Sequence, residues 1–275
     1  MVSEYVGYQI VPYDPDAFPL IQQGNLPPGV ELLPNEYLVV ADGETEVGCY
    51  RWTGATLTHM PYRQINSKFL GRVKARNTQQ QLVIDMLYQP DVTIKVVTGK
   101  FGTGKDFLMC SAAIDQMERG KFERIVWVRN NIEVKNSKPI GHLPGEYRDK
   151  LLPYAMPLAD HLGGVEGLEM LCNQGKIEIV HLGFIRGRDI KKSIILCSEC
   201  ENMTKEHIQL LIGRVGEGSS LWLNGDFKQV DHQVFAENNG LLTAVEKLKG
   251  HPRFGYVKLI KSERSETAAM ADLLD

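Results

Sequence analysis

Short apolar runs and longer stretches with helically spaced apolar positions alternate along most of this chain. Runs at 93–98, 124–128, 176–181, 193–197, 220–224 and 256–261 are dominated by Val, Ile and Leu and predict buried strands. Before and between them, the stretches 78–88, 105–119, 145–161, 164–174, 204–213 and 239–249 keep the spacing of helices with one apolar face. This alternation predicts the α/β class: a parallel sheet with helices on both faces, and ligands outside the carboxyl ends of its strands.

Residues 1–72 follow another rhythm and are read as a unit ahead of a main domain at 73–275. Six of the thirteen prolines fall within residues 1–35, at positions 12, 15, 19, 27, 28 and 34. They forbid long regular structure, so an extended arm or irregular lid is expected there. Two alternating runs, 37–40 and 48–52, flank Asp42-Gly43 and predict a small antiparallel meander. The segment 62–76 then carries Arg63, Lys68, Arg72, Lys74 and Arg76 and no acid. It is either a solvated linker or a phosphate-contacting strip beside a nucleotide site, which would suit nucleic acid.

Charge sharpens that division. The 275 residues hold 31 basic and 34 acidic side chains, a net −3, yet the first fifty contain eight acids and neither Lys nor Arg. Residues 51–275 are therefore net +5, an anion-handling module with an acidic attachment. The chain shows no basic-then-apolar leader and no apolar stretch of membrane-spanning length, and its five cysteines are irregularly spaced. A soluble, cytoplasmic protein with free thiols and no membrane partner is expected. Cys197-Ser-Glu-Cys200 has no second pair and reads as two packed thiols.

The candidate chemistry begins where the first strand of the main domain ends. Gly99, Lys100, Phe101, Gly102, Thr103, Gly104 and Lys105 join that strand to a helix in the pattern G-x-x-x-x-G-K. Such a turn gathers unpaired backbone N–H groups and the positive end of a helix dipole at one point, where a β- or γ-phosphate can sit. Lys105 adds a mobile point charge. Where a Ser or Thr hydroxyl would bind Mg²⁺, the chain has Asp106. A ligand-free glycine turn is the alternative, and the strand–helix context counts against it. Past later strand ends stand Glu199, of the type that engages Mg²⁺ or polarises water, and Asp226 and Gln229, able to sense a γ-phosphate or orient water. By itself Asp226 could equally cap a turn.

In these blocks the chain resembles the PhoH family of phosphate-loop ATPases, whose core is similar to the helicase-type RecA fold. The resemblance runs from about residue 34 onward. It rests on Arg76-Asn-Thr-Gln-Gln80, the loop at 99–105, Arg129, Gly141-His-Leu-Pro-Gly145, Phe184-Ile-Arg-Gly-Arg188, Ile194-Ile-Leu-Cys-Ser-Glu-Cys-Glu-Asn-Met-Thr204, Gly225-Asp-Phe-Lys-Gln-Val-Asp231 and Arg264. It implies a RecA-like phosphate-loop core behind a small β-rich region, with ATP and Mg²⁺ as ligands. The partners it implies are RNA or single-stranded DNA and further copies of the chain in a ring, a hexamer being favoured. The meander is similar to the segment that joins a PIN-type nuclease to the ATPase in two-domain relatives, and with so few residues ahead of it no such nuclease is expected here.

The same resemblance implies individual roles. Gln80 would read the adenine edge, Lys105 would hold the β/γ-phosphates, and Glu199 would serve as base or metal partner. Asp226 and Gln229 would position water. Arg186 and Arg188 would face phosphate, with an ion pair at a helix end as the structural alternative. Arg264 would act as an arginine finger reaching into the neighbouring subunit. Two departures stand out: the family's Thr after the loop lysine is Asp106, and its Asp-Glu pair is Ser198-Glu199. Hydroxyl and carboxylate have changed places, leaving Asp106, Ser198 and Glu199 as the expected metal ligands. Three functions stay open: an ATPase acting on nucleic acid, an ATP-binding scaffold or regulator with impaired turnover, and a nucleotide or metabolite kinase.

Overall fold

A computed structural model describes residues 4–129, 155–227, 229 and 233–263. The block at 141–145, residues 145–154 of an expected helix, Lys228, Val230, Asp231 and Arg264 lie outside them. The N-terminal region contains β1 (Tyr8–Pro12), α1 (Phe18–Gln22), β2 (Tyr37–Asp42), β3 (Thr45–Trp52), β4 (Leu57–His59), β5 (Ile65–Ser67) and β6 (Gly71–Val73). After it come α2 (Thr78–Tyr88), β7 (Ile94–Gly99), α3 (Lys105–Glu118), β8 (Arg124–Arg129), α4 (Met156–His161), α5 (Val165–Asn173) and β9 (Ile177–His181). The chain continues through β10 (Ser193–Cys197), α6 (Lys205–Ile212), β11 (Ser220–Gly225), α7 (Gln233–Glu237), α8 (Gly240–Leu248) and β12 (Phe254–Leu259).

Strands β7 to β12 form one parallel sheet in the order β12-β7-β11-β10-β8-β9, as the alternation predicted. Successive side chains on a strand point to opposite faces, so each central strand must be apolar throughout to be covered on both. Val97, Trp127, Leu196 and Trp222 accordingly pack toward α2 and α3. Val96, Val126, Cys197 and Leu223 pack toward α6 and α8. Cys197 and Cys200 are buried and free, and the Cys200 thiol donates to the Cys197 carbonyl at 3.2 Å. No helix among the described residues is long and apolar enough to cross a membrane.

The proline-rich arm is built into the fold. Strand β1 pairs in parallel with β2, and β2, β3 and β4 form the expected antiparallel meander. Prolines fit because Pro12 closes β1 and Pro19 sits in the first turn of α1, where no N–H is needed. Strand β2 is buried on both faces: Leu38 and Val40 contact Ile21 and Leu57, while Tyr37 and Val39 join the core beneath α2. Residues just before β1 lie against the outer edge of β12, where Lys258 N–H donates to the Val6 carbonyl at 2.9 Å. Gly7 has φ +85°, and a Cβ there would fall 1.8 Å from the Tyr256 carbonyl oxygen, so only glycine allows this approach. Asn35 adds two bonds of 2.9 Å from its amide to the Pro252 and Phe254 carbonyls.

The basic segment 62–76 is neither a linker nor a single strip. It folds into the β5–β6 hairpin on the C-terminal end of α3, where Glu118 accepts from Ser67 Oγ (3.2 Å), Lys68 N–H (2.7 Å) and Phe69 N–H (3.0 Å). Its ends diverge: Arg76 reaches the carboxyl side of the sheet, and Arg63 lies over the Tyr88 ring at the amino side.

Candidate functional site

At the carboxyl end of β7 the chain turns through residues 99–104 into α3. Gly102 and Gly104 take φ of 71° and 87°, and a Cβ on Gly104 would come within 3.0 Å of Gln80 Nε2. The N-cap residue of α3 is Gly104, which has no side chain to cap the helix, so its first N–H groups and its dipole are presented at the loop. Gln80 is buried and braces this turn: its Nε2 donates to the Thr103 carbonyl and its Oε1 accepts from Arg76 N–H, both at 2.9 Å. The C-terminal segment lies across the same loop. Glu263 N–H donates to the Gly102 carbonyl at 2.8 Å, and Asn77 Nδ2 donates to Glu263 Oε1 at 2.7 Å.

Beside the loop opens a cavity of about 290 Å³, whose lining includes Phe101, Lys105, Asp106, Ser198, Glu199 and Glu201. Lys105 is buried, with Nζ 3.4 Å from the Lys100 carbonyl and 5.7 Å from the centroid of the Phe101 ring. Among the described residues three carboxyl groups line the cavity with this one ammonium, so a bound cation would ease the entry of a triphosphate. The sheet order explains the meeting. Strand β11 separates β7 from β10, and its Asn224 donates from Nδ2 to Asp106 Oδ1 at 2.9 Å.

Two buried oxygens here, Ser198 Oγ and Asn224 Oδ1, have no hydrogen-bond partner among the described residues. Buried acceptors are normally satisfied. With the Asp106 and Glu201 carboxylates they make an oxygen donor set that suits Mg²⁺, which keeps several waters and takes one or two carboxylates with substrate phosphates. Among the described residues no three His, Cys, Asp or Glu side chains form a preformed cage, and Mg²⁺ does not require one.

The two acids after β10 have different surroundings. Glu199 sits in a left-handed backbone conformation, φ 56°, with its side chain 55% exposed and ion-paired to Arg129. Glu201 is turned inward by the short helical turn at Cys200–Asn202 and accepts Asp226 N–H at 3.1 Å. Burial pushes the Glu201 carboxyl up to about 7, and the Glu199 charge adds to the rise. Backbone N–H donors, including that of Asp226, and the Lys105 charge oppose it.

The structure thus gathers Lys105, Asp106, Ser198, Glu199 and Gln229 at one cavity. Asp226 is buried at the end of β11 and lines a neighbouring cavity of about 360 Å³ on the β12 side of Gly99 and Lys100. Gln229 N–H donates to the Asp226 carbonyl at 3.0 Å. Arg186 and Arg188 are not brought to the loop. Arg188 makes a two-pronged pair with Glu178 (2.8 and 3.1 Å) and Arg186 is exposed. The reason is topological: Glu178 belongs to β9, the edge strand, with β8, β10 and β11 between it and β7. Sequence reasoning missed Glu201 and Asn224. Their signals were a second acid within a buried stretch just past a strand end, and a lone amide in the apolar run Leu221-Trp-Leu-Asn224.

The sequence profile of the PhoH family, described as PhoH-like protein, matches residues 72–272. Protein PhoH2 of Bacillus subtilis (strain 168) is 35% identical over 257 residues, covering 88% of this chain and 57% of that protein. Protein PhoH2 of Thermobispora bispora is 30% identical over 201 residues, covering 72% of this chain and 46% of that protein. The chain spans about half the length of these curated relatives. Among solved structures, the crystal structure of Pif1 helicase from Candida albicans aligns at 16% identity and TM-score 0.39, covering 73% of this chain and 43% of that one.

Proposed function

From the premise that this chain belongs to the PhoH family, we propose that it binds ATP with Mg²⁺ at the loop 99–105 and hydrolyses it while acting on nucleic acid, RNA by preference. One observation carries the reading. Lys105 and the uncapped start of α3 face the carboxylates of Asp106, Glu199 and Glu201, which come from α3 and from the end of a second strand. Lys105 and the loop N–H groups hold the β- and γ-phosphates. Asp106 and the Ser198 hydroxyl, with Glu201 and Asn224 beside them, would hold Mg²⁺, which when bound would offset phosphate charge. Glu199 takes the proton of the attacking water, and Glu201 fixes the turn at Asp226 that presents Gln229 to that water. A ring of identical subunits, hexameric by preference, supplies the second wall that a single core lacks for gripping a strand.

An ATP-binding regulator without turnover is the second reading. It draws on Asp106 being held by Asn224 in a pocket already rich in negative charge. Calorimetry of ATP against the parent and Lys105→Ala, with Mg²⁺ and with chelator, tests the site. Tight binding only with Mg²⁺, weakened about ten-fold or more by Lys105→Ala, is expected. Unchanged affinity in the variant would sink the assignment. Phosphate release with RNA, with single-stranded DNA and with neither then separates the two readings.

A further inference from the structure

A second cavity, of about 550 Å³, lies at the opposite end of the sheet, at the amino ends of β7 and β11 and just before β12. Helix α3 starts at the phosphate loop and ends here, so its 14 residues put the two sites about 20 Å apart. Among the described residues five basic side chains line it, Arg63, Lys95, Arg119, Lys121 and Arg253, and no carboxyl group does. The dipole of α3 accounts for Arg119 and Lys121 at its C-terminal end. It does not account for the other three, which come from the segment before β5, from β7 and from the segment before β12.

Lys95 is the telling residue. It is 2% exposed, its ammonium donates to the Leu87 carbonyl at 2.6 Å and lies 5.3 Å from the Trp222 ring centroid. Among the described residues it makes no salt bridge. The nearby carboxylates are committed elsewhere: Asp85 accepts from Tyr37 and Gln89, and Asp115 pairs with Arg119 and accepts from Tyr88. A buried cation without a paired anion is costly, and an arriving anion relieves that cost. Tyr88, Phe122, Pro90 and Val92 supply apolar wall, and the volume is that of a small-molecule site.

We propose that this cavity binds a small organic phosphate with a planar portion, of the size of a nucleoside monophosphate, independently of the phosphate loop. The phosphate is held by Lys95, Lys121 and Arg253, and the planar portion lies against the aromatic wall. Burial lowers Lys95 to about 7, Asp85 opposing this. The groups facing it are Asp85 and Tyr88 on α2, Asp115 and Arg119 on α3, and Lys121, Arg63 and Arg253 at the mouth. An anion beside Lys95 favours its charged form, so binding takes up a proton at pH about 7.5.

The experiment is calorimetry of AMP, inorganic phosphate and adenosine against the full chain carrying Lys105→Ala, in chelator and in two buffers of different ionisation heat. AMP should bind at one per chain and adenosine should not. Lys121→Ala with Arg253→Ala, both exposed positions that the fold tolerates, should weaken AMP about ten-fold or more, and Lys95→Met should abolish the proton uptake. No AMP binding, binding unmoved by the double substitution, adenosine binding as well as AMP, or proton uptake unchanged in Lys95→Met overturns the proposal. Failure here leaves the loop assignment intact, because that assignment predicts Mg²⁺-ATP binding lost in Lys105→Ala and kept in the Lys121/Arg253 double variant.

Discussion

Asn224 donates its side-chain amide to Asp106 Oδ1 at 2.9 Å, tying the end of β11 to the first turn of α3. The carboxylate that replaces the usual loop hydroxyl is therefore held in place and directed at the same cavity as Ser198. If the two exchanged residues share one metal, they act as a unit. Asp106→Thr and Ser198→Asp should each lower Mg²⁺-dependent ATP binding, and the double variant should recover it, with a coupling of about 1–3 kcal/mol across the four-way cycle. Additive losses by calorimetry would show that the sites are independent.

Glu199 offers a reading of strain at the site. Its left-handed backbone disfavours any side chain by about 1 kcal/mol, while glycine adopts it freely. Glu199→Gly should therefore be more stable than Glu199→Ala by about 1 kcal/mol, the reverse of the usual order, since both lose the Arg129 pair equally. Denaturant unfolding measures the difference. Both variants should bind ATP and fail to release phosphate, and turnover retained in either removes Glu199 from the role of base.

Arg264, expected as an arginine finger for the neighbouring subunit, lies outside the described residues; Glu263, one residue earlier, bonds the Gly102 carbonyl of its own chain. Arg264→Ala should cut turnover by about 10³-fold or more with ATP affinity little changed, and mixing it with Lys105→Ala subunits should restore part of the activity. A mixture of assembled subunits that stays inactive would place the finger in its own subunit.

Stability should rise with pH just above neutrality because of Lys95. Its folded-state value is lowered to about 7 from an unfolded value of 10.5, so above pH 7 the unfolded chain binds the extra proton and folding is favoured as pH increases. From pH 7 to about 8.5 the gain should approach about 1–2 kcal/mol. Above that range the buried thiols of Cys49 and Cys110, raised by burial, work in the opposite direction. Lys95→Met should flatten the slope in chemical denaturation series. An unchanged slope places its origin in another group.

Local order was legible in the chain alone. Strand β10, Ser193–Cys197, is apolar at every position but its first, and the phosphate loop follows β7 at a fixed spacing, so period and turn chemistry sufficed for both. Prolines misled at 1–35, because their positions at a strand end and in a first helical turn depend on which partner each segment finds. Only the tertiary structure separated Glu201 from Glu199, joined Asn224 to Asp106, sent Arg188 to Glu178 and set Lys95 beneath a basic mouth. The Asn224–Asp106 contact and the place of Arg188 depend on strand order, β11 lying between β7 and β10 and β9 at the edge, and strand order is decided by long-range pairing that no local window contains.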